Sequence, residues 1–404
     1  MIGLIAFSLA AAGCGGPACN FDTLAPWVAK MTAARTAPPG APPVHILQIG
    51  DSHTAGDALT GGWRDLLQAQ TGGGARGVLP PGRPYAGYLT RGVTVSMSPG
   101  WRIAASFGLG AAAPRPPLGL SGFTLTSTEP TARMGLVAQP EMAFDRFVLC
   151  AMAGPLTPSV TVKTVLGSQQ VSLASDIVEP RCATLRWETP QIRLDLIADA
   201  GPVMITSWAT FRDQGGVALS NLGIVGSQLQ HFGRTDDDVL AAELHAYAPD
   251  LIVLAFGTNE GFAPHFDDNA YRATLVGQVD RLRRLAPDVP LLLLGPPQAL
   301  SRNPALRGNA EGVVTGCPAA DPGKPPLFEP PALGRVRAIQ REVAQEMHLA
   351  WWDWADRMGG PCAATRWVAD GRMRGDYVHF TSAGGRVLAQ LLQDDLLRFA
   401  FSGH

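Results

Sequence analysis

The chain has 404 residues, enough for one large hydrophobic core or two smaller ones. Its formal net charge is -2 with no long run of one sign, which excludes the basic face of a nucleic-acid binder. With 46% hydrophobic and 16% charged residues, it is excluded from the disordered class as well.

Residues 2–12 form an apolar stretch running into the small residues Ala10-Ala11-Ala12-Gly13. This is the pattern of a secretory h-region and its cleavage site, and it is too short to cross a bilayer as a helix. Cys14, after Ala-Ala-Gly, resembles a bacterial lipid-attachment site without the usual Leu three residues earlier. Residues 1–19 are therefore expected to be a signal peptide or lipoprotein leader. Cys14 is the candidate lipid anchor, and the protein is expected to be exported, either periplasmic or held at a membrane.

Residues 21–35 read as a short helix, followed by a Pro-rich linker over 36–43. The apolar run 45–49, bounded by Pro and Gly, predicts a buried strand. After the turn Gly50-Asp51-Ser52-His53 comes a helix over 58–70. From about Tyr85 to Trp208 the texture changes. Short segments rich in Val, Thr, Leu and Phe (92–96, 120–126, 146–149, 160–165 and 192–197) alternate with Gly, Pro and Ser turns. They predict an all-β, sandwich-like module. Beyond it, helices over 237–247, 270–285, 332–347 and 382–399 alternate with strands over 251–256, 290–294 and 348–352. That rhythm predicts a parallel sheet covered on both faces. The expected organisation is an α/β three-layer domain made of residues 20–88 and 210–404, interrupted by a β-rich insert over 89–209.

Six cysteines suit an exported protein. Beyond Cys14 and Cys19 there remain Cys150, Cys182, Cys317 and Cys362, with no CxxC spacing, which argues against metal binding. Spacing leaves three pairings open; keeping each bridge inside one module gives Cys150–Cys182 and Cys317–Cys362.

A serine becomes a nucleophile when a base takes its proton and a fixed group orients that base. Ser52 follows a strand and precedes a helix, at the sheet edge where open α/β folds bind ligands. Among eight histidines, only His379 has an Asp three residues earlier in a turn-like stretch before a helix, Asp376-Tyr377-Val378-His379. Asn259, in Gly257-Thr258-Asn259, ends another strand and could donate to an oxyanion. Gly223 and Gly226 sit in a tight connection that could supply a backbone N–H.

Asp51 is expected to hydrogen-bond the turn after it. His53 reads as a loop residue or a substrate contact, and Glu260 as a solvated loop position or a sugar contact. Trp101, Trp187 and Trp208 are core residues or sugar platforms, and core is the default. Trp351, Trp352 and Trp354 belong with the sheet and its edge. The run Arg281 to Arg284 is read as the wet face of a helix, and His45, His231, His245, His265, His348 and His404 as structural or solvated.

Gly50-Asp51-Ser52, Gly226, Gly257-Thr258-Asn259 and Asp376-Tyr377-Val378-His379, in this order, resemble the blocks of the SGNH (GDSL-type) hydrolases. The resemblance implies an SGNH fold, Ser52 as nucleophile, and Asp376 and His379 as the other triad members. It places the Ser52 amide, Gly226 and Asn259 in the oxyanion hole, with no metal or organic cofactor. The segment from Gln48 to Asp57, the phrase from Phe256 to Phe262 and the inserted β module resemble bacterial peptidoglycan O-acetylesterases, in which the insert is similar to a carbohydrate-binding module. His53 departs from the usual Leu. An O-acetylated glycan, peptidoglycan first, is the implied substrate. The alternatives are an O-acetyltransferase, an esterase for another polysaccharide, and an inactive glycan-binding protein. On this view, removing 89–209 should cost substrate preference more than activity on a small ester.

Overall fold

The computed structural model describes residues 14, 16–88, 90–108, 115–302, 316–321 and 323–402. The apolar stretch 2–12 and His404 lie outside them. Five parallel strands form the centre of the α/β part, in the order Ala350–Trp352, Leu291–Leu294, Leu251–Ala255, Val44–Gly50 and Val217–Gly223. Side chains along a strand alternate between faces, so a sheet covered on both sides needs apolar residues at every position. Leu251, Val253, Ile46, Leu219, Leu292 and Trp352 pack on one face with Trp27, Trp63, Leu388 and Leu392. Ile252, Leu254, Leu47, Ile49, Leu293 and Trp351 pack on the other with Leu240, Leu244, Leu275, Val279 and Val343. These covering residues come from helices Ala25–Ala34, Leu59–Thr71 and Ser382–Ser402 on one side, and Asp237–Tyr247, Asp268–Leu285 and Pro331–Glu346 on the other. The result is the expected three-layer fold.

Ala18–Cys19 adds a sixth, antiparallel strand on Ala350–Trp352. Cys19 is buried, and Pro17 O accepts from Asp353 N. Cys14 is bonded to Cys19. The other bridges are Cys150–Cys182 and Cys317–Cys362, one within each module as expected.

The insert is a two-sheet antiparallel sandwich. One sheet runs Gly167–Val171, Val160–Thr164, Arg193–Ala198, Arg133–Ala138, Val93–Met97. The other runs Glu179–Gln191, Phe144–Ala153, Met204–Phe211, Phe123–Ser127, Trp101–Ala105. Leu136, Val162, Leu194 and Leu196 of the first meet Phe123, Leu125, Phe147 and Leu149 of the second in one core. Its limits differ from 89–209, because Gly77–Leu79 pairs with Met204–Phe211 before the chain re-enters the parallel sheet. Trp208 is fully buried in this core, and Trp101 and Trp187 pack against it.

The two modules share a core. Val148, Cys150, Ala209 and Phe211 of the sandwich pack with Leu240, Leu244 and Tyr247. Between them Glu243, wholly buried, accepts from Leu120 N and from the Thr206 and Ser207 hydroxyls. Burial raises its carboxyl pKa, with those bonds opposing. The reading of Arg281 as solvated is also corrected. Its guanidinium is drawn in to the Thr235 carbonyl and hydroxyl, the Phe232 carbonyl and Asp237, which its neighbour Arg284 reaches from outside.

Candidate active site

Strand Val44–Gly50 delivers the chain to Asp51, which caps a one-turn helix, Ser52–Ala55, by accepting from His53 N at 2.9 Å. Ser52 is the first residue of that helix, so its amide has no acceptor within the turn. The Asp376–His379 turn stands opposite. Asp376 Oδ1 accepts from Val378 N and His379 N, both at 2.9 Å, and Oδ2 faces His379 Nδ1 at 2.9 Å. His379 Nε2 lies 3.0 Å from Ser52 Oγ. Burial pushes the Asp376 carboxyl pKa up, but the His379 and Val378 amides and the imidazole outweigh it, and the pKa is lowered. Asp376 thus stays ionised and holds the tautomer that leaves Nε2 free to accept the serine proton.

Tyr377 sustains the turn. It adopts a left-handed φ of 60°, its ring is buried, and its hydroxyl accepts from Ala320 N at 2.9 Å. Sequence reasoning passed over it because its signal is only the middle of Asp-x-x-His.

On the far side of Ser52, strand Val217–Gly223 leads into a turn closed by Ser227 N to Ile224 O, 3.1 Å. Gly226 in this turn has φ 80°, which favours glycine. Gly223, the rival donor, is still in the strand, paired with Gly50 and close against the Asp51 and Ala55 backbone. Among the described residues no partner faces the Gly226 N–H. Strand Leu251–Ala255 leads to Asn259, whose Nδ2 donates to Ser227 O at 2.8 Å. That leaves the second N–H of the amide unspent. Gln228 Nε2 donates to Asn259 O, and Leu229 N to Glu260 Oε1, at 3.2 and 2.7 Å. Three hydrogen bonds thus join the Gly226 and Asn259 segments. The structure brings together Ser52, His379 and Asp376 on one side, and Gly226 and Asn259 on the other.

Two neighbours behave otherwise than expected. His53 is buried, with Nε2 unpartnered, among Trp354, His379 and Phe380 at ring separations of 5.4, 5.5 and 5.6 Å. Burial, then the charge of His379, drives its pKa down to about 3, so it packs as a neutral ring behind the His379 imidazole. Glu260 is neither solvated nor a sugar contact: it is 5% exposed and tied to Leu229 N. Burial pushes its pKa up to about 7. Asp51 caps its turn as expected, and burial pushes its carboxyl up to about 8, helped by Glu260 and opposed by the His53 and Thr258 amides. His45 is structural, with its nitrogens on Tyr247 O and Ser220 Oγ.

A serine hydroxyl, an imidazole oriented by a carboxylate and a cluster of N–H donors at the C-terminal edge of a parallel sheet form the arrangement that serine ester hydrolysis requires. Residues 202–387 match the GDSL-like lipase/acylhydrolase family. The match begins just before the last sandwich strand, Met204–Phe211, and takes in Gly226, Asn259, Asp376 and His379, while Ser52 precedes it. The chain carries a GDSL-like acylhydrolase domain and is a carboxylic ester hydrolase. It is similar to a solved peptidoglycan O-acetylesterase, 26% identical with a TM-score of 0.75 over 93% of this chain and 96% of that one. Lesser similarities include an acetyl xylan esterase (18% identical, TM-score 0.32, over 44% and 81% of the two chains). Another is a family two carbohydrate esterase from Cellvibrio japonicus (15%, 0.27, over 76% and 99%). No curated protein sequence matches.

Proposed function

We propose that the protein removes O-acetyl groups from an exported glycan, peptidoglycan foremost, through an acetyl-enzyme on Ser52. The observation that carries this reading is the similarity to the peptidoglycan O-acetylesterase, which runs through the sandwich as well as the hydrolase layer. Three disulfides support an oxidising, extracytoplasmic setting.

In the first step His379 Nε2 takes the Ser52 proton as Oγ attacks the acetyl carbonyl. The oxyanion receives hydrogen bonds from the Ser52 and Gly226 amides and the spare N–H of Asn259. As the tetrahedral species collapses, imidazolium returns the proton to the departing sugar oxygen. Water, deprotonated by the same imidazole, then attacks the acetyl-enzyme, and acetate leaves as Ser52 regains its proton. Asp376, ionised throughout, stabilises the imidazolium in both steps.

The test is acetate release from O-acetylated peptidoglycan beside acetylated xylan and an acetylated exopolysaccharide, with Ser52→Ala as control. The expected result is a higher kcat/KM on peptidoglycan, and a loss of roughly 10⁴-fold or more in kcat for Ser52→Ala. Equal turnover of xylan would remove the peptidoglycan assignment. Near-normal turnover by Ser52→Ala would remove the nucleophile.

A further inference from the structure

The sandwich reaches the catalytic layer at a point separate from the shared core. Phe107 follows strand Trp101–Ala105 and is half-buried. Its ring stacks on His231, centroids 4.3 Å apart and planes at 28°. Its edge lies against Gly226: a Cβ placed there would meet Phe107 Cε1 at 3.0 Å and Cζ at 3.6 Å. The backbone beneath the ring is tied down by Ser106 N to Gly122 O at 2.9 Å and by Arg234 Nη1 to Ser106 O at 3.0 Å.

His231 completes the support. Its Nδ1 accepts from Gln228 N at 2.8 Å. Burial, helped by Arg234, holds its pKa down to about 4, so the ring is neutral with its proton on Nε2. Gln228 in turn reaches Asn259 O. The Gly226 turn is therefore bounded by the Asn259 segment on one side and by an aromatic ring from the sandwich on the other. A glycine at positive φ has the most freedom to rotate its flanking peptides, and a single backbone bond closes this turn.

We propose that Phe107 is a positioning residue for the oxyanion hole: by packing on Gly226 it keeps that N–H aimed at the developing charge, so the inserted sandwich sets the rate of acyl transfer. This rests on the reading of Gly226 as an oxyanion donor. An interaction that acts mainly in the transition state lowers kcat when weakened and leaves KM nearly unchanged.

The experiment measures kcat and KM on p-nitrophenyl acetate and on O-acetylated peptidoglycan for full-length Phe107→Ala and Phe107→Tyr, with melting temperatures. Expected for Phe107→Ala is a fall of about tenfold in kcat on both substrates with KM within about twofold, a fraction of the loss from deleting a donor. Phe107→Tyr, which keeps the ring, should restore kcat. Should Phe107→Ala prove unstable, Phe107→Leu, which keeps apolar packing without the ring, should show an intermediate kcat. Unchanged kcat in Phe107→Ala, while Asn259→Ala is impaired, overturns the clamp and leaves the oxyanion reading standing. A rise in KM confined to peptidoglycan overturns it too, making the ring a sugar platform. Normal kcat in both Asn259→Ala and Phe107→Ala removes the oxyanion reading and the clamp with it.

Discussion

The two sheets of the sandwich face different surroundings. In the outer sheet, Val93–Met97, Val160–Thr164 and Arg193–Ala198 alternate buried and more exposed positions, one face on the core and one toward water. In the inner sheet, Phe144–Ala153 and Met204–Phe211 are buried at almost every position. Their second face is covered by helix Asp237–Tyr247 of the hydrolase layer. The inner sheet is thus a fourth layer of the enzyme, and only the outer one behaves as an accessory. A module that looks separable by composition is not separable by burial.

Deletion of residues 89–209 should break this comparison if anything can. It would strip Val148 and Cys150 from the shared core and leave Leu240, Leu244 and buried Glu243 facing water. The expected outcome is loss of soluble, cooperatively folding protein and of activity even on p-nitrophenyl acetate. A truncation that folded is still expected to lose substrate preference more than small-ester activity. A folded, active truncation would show that the inner sheet is an accessory after all.

Smaller changes separate chemistry from scaffolding. Asn259→Ala should lower kcat roughly 10²–10³-fold with little change in KM or melting temperature, since its donor acts in the transition state. An effect confined to KM would make Asn259 a ground-state contact. Glu243→Ala, at the seam, should do the reverse: about 3 kcal/mol of lost stability, because the Leu120 amide and two hydroxyls lose their acceptor. Denaturant unfolding within about 0.5 kcal/mol of wild type would argue that water enters the seam freely.

The smallest effect concerns pH. In the folded chain Asp51 and Glu260 keep their protons to about 8 and about 7, against ordinary values of 3.8 and 4.5. Between those limits the folded state binds more protons than the unfolded one, so stability falls as pH rises. Their contribution is whole below the ordinary carboxyl values and gone once pH passes about 8. Buried His45 and His53 act oppositely, but only below 6.5, their ordinary value. The paired substitution Asp51→Asn with Glu260→Gln should therefore flatten melting temperature against pH between 6.5 and 8. A slope as steep as wild type would place the pH response elsewhere.

The sequence by itself determined that the sheet is parallel, four of its five parallel strands and the helices between them, and the serine, asparagine, aspartate and histidine at their ends; the strand Val217–Gly223 was not read from it. Runs such as Leu291–Leu294 are apolar throughout because both faces are covered, and such runs are legible one strand at a time. The five short sandwich segments were also legible, but Glu179–Gln191 was not. Its exposed positions carry Arg, Thr and Glu, and its pairing to Phe144–Ala153 is set by partners 26 to 47 residues away. Only the tertiary structure decided that Gly77–Leu79 joins the sandwich, that Arg281 and Glu260 turn inward, and that His53 packs behind His379. It alone put Phe107 against Gly226. Each of these depends on what a distant segment places beside a side chain, and burial, unlike periodicity, is a property of neighbours that the local sequence does not contain.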